Sequence, residues 1–114
     1  MKIITLTIAI ATFLVSCGGQ APKEGEVEQT FTVYGNCGMC KKTIEGSLSG
    51  VDGVASAEWN MENDQMTVIF NDSKISLKEV KQKIAGVGYD MDDVRADDEV
   101  YNKLHACCKY ERPE

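Results

Sequence analysis

Proline is almost missing from this chain: Pro22 and Pro113 are its only two, and none lies in the 90 residues between them. A redox site of the thioredoxin kind, which sets a cis-proline against its cysteine pair, has no proline to use there. Histidine is scarcer still, with His105 alone, and no serine elbow accompanies it, so a hydrolase triad is disfavoured. Basic residues are outnumbered, 12 against 18 acids, for a net charge of −6. The acids crowd at Asp90, Asp92, Asp93, Asp97, Asp98 and Glu99. With no basic stripe to follow a phosphate backbone, nucleic acid is not expected as a partner. Long apolar runs are absent apart from Ile3 to Val15, and its roughly 13 residues fall short of the ~20 that cross a bilayer.

That short run has another use. A positive start at Met1-Lys2 followed by an apolar stretch has the build of a secretory signal. It ends in Leu14-Val15-Ser16-Cys17-Gly18, which resembles the bacterial lipoprotein box, in which the cysteine after the cleavage site carries lipid. The expectation is a signal at 1–16, lipidation of Cys17 and a polar, flexible tether over 17–28. The protein would then be exported and membrane-anchored in the cell envelope, facing the periplasm or on the outer membrane. A domain over 29–96 and a tail over 97–114 complete the division.

Hydrophobic spacing in the domain alternates between strand and helix periods. Gln29 to Tyr34 reads as a strand with Phe31 and Val33 on one face, and Ile44, Leu48 and Val51 form a helical stripe that starts at Cys40. Ala55, Ala57, Trp59 and Met61 alternate, as do Met66, Val68 and Phe70 beyond the polar Glu62-Asn63-Asp64, so a hairpin is expected. Ser76 and Glu79 form a capping box ahead of the stripe Leu77, Val80 and Ile84. Tyr89 to Val94 would be a last strand. The order β-α-β-β-α-β predicts an α+β, ferredoxin-like sandwich: a four-stranded antiparallel sheet with both helices on one face, followed by a helical C-terminal tail.

The chemistry sits where the first strand meets the first helix, in Gly35-Asn36-Cys37-Gly38-Met39-Cys40. Both thiols of the Cys-x-x-Cys pair fall at a helix N-terminus, where free N–H groups and the helix dipole favour thiolate. Lys41 and Lys42 would push the same way. Thiolate binds soft metal ions and also attacks disulfides, so a redox role for Cys37 and Cys40 stays open. Two ligands are too few for a structural zinc site, which closes with four. They suit Cu(I), or Hg(II), with room for a partner's thiols to enter before the donor's leave.

Strand, loop, Cys-x-x-Cys, helix, hairpin, helix and Gly88-Tyr89-Asp90 together resemble the heavy-metal-associated domain of copper chaperones, the periplasmic mercury-binding protein and metal-transporting P-type ATPases. The resemblance covers about Gln29 to Ala96. It implies that Cys37 and Cys40 are the metal ligands and that Tyr89 sits close to them. It also implies a non-enzymatic metallochaperone or sequestering protein, most simply for Cu(I), with Hg(II) or Zn(II) detoxification as the alternative. Its partner would be a metal-transporting ATPase or efflux component, and the metal-free protein a monomer. One departure is visible. The family commonly places Met two residues before the first cysteine, where this chain has Gly35 and carries Met39 between the cysteines instead.

The tail lies outside that pattern. Val100, Leu104 and one of Cys107 and Cys108 share a helical stripe, and adjacent residues point about 100° apart, so only one cysteine can face the core. His105 and Cys108 at i, i+3 could chelate together, and His105, Cys107 and Cys108 are a candidate secondary metal group. A helix of about 12 residues spans about 18 Å, enough to return the Cys107–Cys108 end to the Cys37–Cys40 loop.

Overall fold

The computed structural model describes residues 21–114. The expected signal and the lipidation of Cys17 lie outside the described residues. Three strands form one antiparallel sheet in the order β1-β3-β2: β1 Glu26–Thr32, β2 Val54–Trp59 and β3 Gln65–Asn71. Helices α1, Gly38–Gly46, and α2, Leu77–Ala85, separate them in the order β1-α1-β2-β3-α2. Short helix α3, Asp98–Asn102, and a 3-10 turn, Ala106–Cys108, make up the tail.

The core forms where the apolar stripes of both helices meet the inward face of the central strand. Ile44 and Leu48 from α1 and its C-terminal turn join Val80 and Ile84 from α2 and Met66, Val68 and Phe70 from β3. The opposite face of the sheet carries polar pairs such as Thr30 and Thr67, whose hydroxyls lie 3.3 Å apart. Strand β1 starts at Glu26, three residues inside the expected tether, because Val27 finds Phe70 as its partner on β3. In β2 a bulge between Val54 and Ser56 shifts the inward face, so Val54 and not Ala55 packs on the core. Met61 leaves the strand altogether and is exposed in the turn. Ser76 caps α2, its hydroxyl accepting from the Glu79 N–H at 3.1 Å. Ser76→Ala is expected to cost about 1 kcal/mol of stability, measured by urea unfolding.

The fourth strand is corrected to a single antiparallel bridge between Val33 and Met91. The Tyr34 N–H donates to the Asp90 carbonyl beside it at 2.9 Å, and pairing then stops. Its acidic residues explain why. Met91 N–H already turns back to the Val94 carbonyl, Asp92 accepts from the Tyr34 hydroxyl and Asp93 pairs with Lys81 at 2.9 Å. Asp90 accepts from the Ala96 N–H at 2.7 Å. Carboxylates committed to these other partners hold the segment out of a strand ladder and bend the chain. The bend returns the tail across the end of the domain that carries the Cys37–Cys40 loop.

The tail is correspondingly less helical than its spacing predicts. Its side chains anchor it instead. Leu104 lies over Gly88, where an added Cβ would come within 3.2–3.4 Å of the leucine and where φ is +105°. Tyr110 stacks on Tyr89 with ring centroids 5.5 Å apart, and Tyr101 meets Tyr110 edge-on at 5.2 Å. The Tyr110 hydroxyl donates to the Gly88 carbonyl and accepts from the Asp90 N–H, both at 2.8 Å.

Candidate metal centre

Cys37 is the N-cap of α1, with extended backbone angles, and Cys40 lies in the first turn. The helix therefore starts where the sequence places it, with the two sulfurs 3.4 Å apart. Cys40 is fully buried and its thiol donates to Asn36 Oδ1 at 3.1 Å. Cys37 is half-buried at the rim. The Cys40 backbone N–H holds the Cys37 thiol below its ordinary pKa, helped by the Cys40 and Cys108 thiols. Lys41 takes no part in this. Its ammonium is held away by Glu45 at 2.6 Å and the Trp59 carbonyl at 2.7 Å.

The third sulfur comes from the tail. Cys108 Sγ lies 3.7 Å from Cys37 Sγ, although 71 residues separate them. Cys37, Cys40 and Cys108 each offer one sulfur, all within 4.8 Å of one another, and the group could hold a metal ion. Burial pushes the Cys108 thiol up to about 12, with the neighbouring thiols adding to it. Cys108 is thus protonated at neutral pH when no ion is present, and an ion would have to displace that proton.

Tyr89 is fully buried, and its hydroxyl has no hydrogen-bond partner among the described residues. Burial raises its pKa, with the Cys40 and Cys108 thiols next in effect, so the phenol faces the sulfur cluster as a protonated donor. A thiolate there would give its O–H an acceptor. Of the other residues expected in a site, His105 is exposed and outside the sulfur group, its carbonyl accepting from the Cys108 N–H to start the 3-10 turn. Cys107 and Met39 are both exposed, and their sulfurs lie 3.6 Å apart.

Sequence reasoning missed what secures the third sulfur. Asp90 is fully buried and accepts two bonds from Arg112, from Nε at 2.7 Å and from Nη2 at 3.0 Å. Arg112 also reaches Asp98 and the Ala96 carbonyl, each at 2.7 Å, and lies over the Tyr101 ring. The available signal was aromatic: Tyr101 and Tyr110 add large rings to a short, charge-rich tail.

A family model described as the heavy-metal-associated domain matches residues 30–90, more than half of the chain and short of the tail that carries Cys108. The copper chaperone CopZ of Staphylococcus aureus (strain MRSA252) is 45% identical over 56 residues, 49% of this chain and 82% of its own length. A solved CopZ metallochaperone shares the fold with a TM-score of 0.55 at 39% identity, covering 57% of this chain and 98% of that one. The N-terminal domain of a potential copper-translocating P-type ATPase from Bacillus subtilis, in its Cu(I)-loaded state, gives 0.53 at 29% identity over 56% of this chain and 81% of that one. These relatives overturn the envelope location expected from residues 1–17: they are copper chaperones, aligned through the metal domain. Among the described residues no helix is long and apolar enough to cross a membrane. Fold, cysteine loop and relatives agree, and the chain belongs to the heavy-metal-associated domain family.

Proposed function

We propose that this protein binds Cu(I) through the thiolates of Cys37, Cys40 and Cys108 and passes the ion to a partner with a similar cysteine loop, catalysing no reaction. The observation that carries this reading is the convergence of three sulfurs, two from the loop and one from the tail, within 4.8 Å of one another. Three soft ligands at such spacing suit a thiophilic d10 ion, whereas a closed structural zinc site takes four. The relatives supply the choice of copper, since those compared are copper chaperones and a copper-ATPase domain.

The three ligands divide the work. Cys37, at the rim and with its pKa lowered, is the one of the three that meets an incoming partner thiol. Cys40 is fixed in the core and Cys108 closes the set from the tail. Transfer then proceeds by exchange: a partner thiolate replaces Cys108, whose protonation on leaving is favoured by its high pKa. Tyr89 remains beneath the cluster as an O–H donor to the bound thiolates. A copper-transporting ATPase domain is the fitting recipient, because such a domain shares this fold and is known in a Cu(I)-loaded state.

Anaerobic titration of the reduced protein with Cu(I) against a competing chelator tests this reading. Cys37→Ser/Cys40→Ser should lose high-affinity binding, and Cys108→Ser should weaken it while the loop pair still binds. Unchanged affinity in the double variant would overturn the proposal. Disulfide reductase or oxidase turnover by the native protein would point to the redox alternative for Cys37 and Cys40. Tighter retention of Hg(II) or Zn(II) than of Cu(I) would change the cargo.

A further inference from the structure

Met39 is one of two large apolar side chains left in solvent among the described residues, at 48% exposure, and it lies inside the cysteine loop. Its sulfur faces that of exposed Cys107 across 3.6 Å. Cys107 Sγ in turn lies 3.9 Å from Cys108 Sγ, which lies 3.7 Å from Cys37 Sγ, and that is 3.4 Å from Cys40 Sγ. Five sulfurs therefore form one row from exposed Met39 to buried Cys40, with every step under 4 Å. Thiolate–metal bonds of about 2.3 Å let one ion bridge two sulfurs up to about 4.6 Å apart. Each step along this row is within that reach.

We propose that Met39 and Cys107 form a second, outer site for a soft monovalent ion, with the Cys108 sulfur shared between it and the inner group. A thioether and a thiolate are both soft donors suited to Cu(I) or Ag(I). Binding at Cys107 releases its thiol proton to solvent, and the methionine contributes a lone pair without any proton change. The position explains an otherwise unfavourable exposure: Met39 gives up burial and gains a place beside the only exposed thiol among the described residues. The site is the surface station at which an ion is first held before it moves inward by exchange of one sulfur at a time. This rests on the proposed inner site for the direction of travel, but the outer pair stands on its own geometry.

The test uses the full reduced chain in a Cys17→Ser background, titrated without oxygen with Ag(I), which is soft and stays monovalent. Native mass spectrometry counts the bound ions, and chelator competition gives the affinity of each. The parent should hold a first ion and a weaker second one. Met39→Leu/Cys107→Ser should hold the first ion with unchanged affinity and lose the second. Met61→Leu, at an equally exposed methionine away from the sulfur row, should keep both. Saturation of the parent at one ion would overturn the outer site, as would retention of two ions in Met39→Leu/Cys107→Ser. Loss of both ions in that variant would also overturn it, by making the pair part of the inner set. A failure of the inner reading has a different signature: first-ion affinity that survives Cys37→Ser/Cys40→Ser.

Discussion

Arg112→Ala should destabilise the protein by about 3–5 kcal/mol, the range for removing one partner of a buried ion pair. Asp90 is fully buried and would keep the Ala96 N–H but lose both guanidinium bonds. A loss of that size is a large fraction of the 5–15 kcal/mol that holds a small domain together. Urea unfolding monitored at Trp59 measures it. The pH dependence identifies the cause. Burial pushes the Asp90 carboxyl up, but Arg112 and the Ala96 N–H outweigh it and hold the group below its ordinary 3.8. The unfolded chain therefore takes up that proton before the native one does. The contribution is fully present above the ordinary value and is lost as the pH falls through the lowered native value. Native protein should lose this increment on acidification, and Arg112→Ala, which no longer has it, should show a flatter acid limb. An equally steep limb in the variant would remove Asp90–Arg112 from the account.

The same variant reports on function, because the clamp and the third sulfur belong to one segment. Arg112 and Tyr110 pin the chain on either side of Asp90, four and two residues beyond Cys108. If the clamp holds Cys108 against Cys37, Arg112→Ala should lower Cu(I) affinity toward that of Cys108→Ser without touching a ligand. Lys74→Ala, which removes an exposed surface pair with Asp52, should leave both stability and affinity nearly unchanged.

The sequence made the domain legible where one physical signal sufficed. Helical and alternating periods located α1, α2 and the β2–β3 hairpin, and the Cys-x-x-Cys spacing placed two thiols at the start of α1. The fourth strand failed because Tyr89 to Val94 alternates acceptably while its carboxylates are committed to Tyr34, Lys81 and the Ala96 N–H, a competition that periodicity does not register. The tail failed as a helix for a related reason. Its Tyr and Arg side chains find partners across the domain, and those partners, Tyr89 and Asp90, are distant in sequence. Spacing brought Cys108 to the loop in outline, but its place beside Cys37 joins residues 71 apart in sequence, which no local spacing registers.

Gly35 stands where the family resemblance places a methionine, and the reason is across the loop. A Cβ on Gly35 would meet the ring carbons of Trp59 at 2.9 Å, closer than real side chains approach. Trp59 is fully buried, and its indole N–H donates to the Val33 carbonyl at 2.9 Å, so the ring underlies the loop that residue 35 opens. The tryptophan fills from β2 the space that a side chain at residue 35 would enter from the loop. Trp59→Ala should therefore cost about 3–5 kcal/mol and loosen the loop, raising the Cu(I) dissociation rate. Gly35→Met alone should cost about 1–3 kcal/mol by overpacking against the indole. Combined, the two changes exchange one filler for the other. The double variant should be less destabilised than the sum of the singles by about 0.5–3 kcal/mol, the usual range for residues in contact. Urea unfolding of all four proteins gives that coupling. Strict additivity would mean that the two positions do not share a space, and the glycine at residue 35 would then need a different explanation.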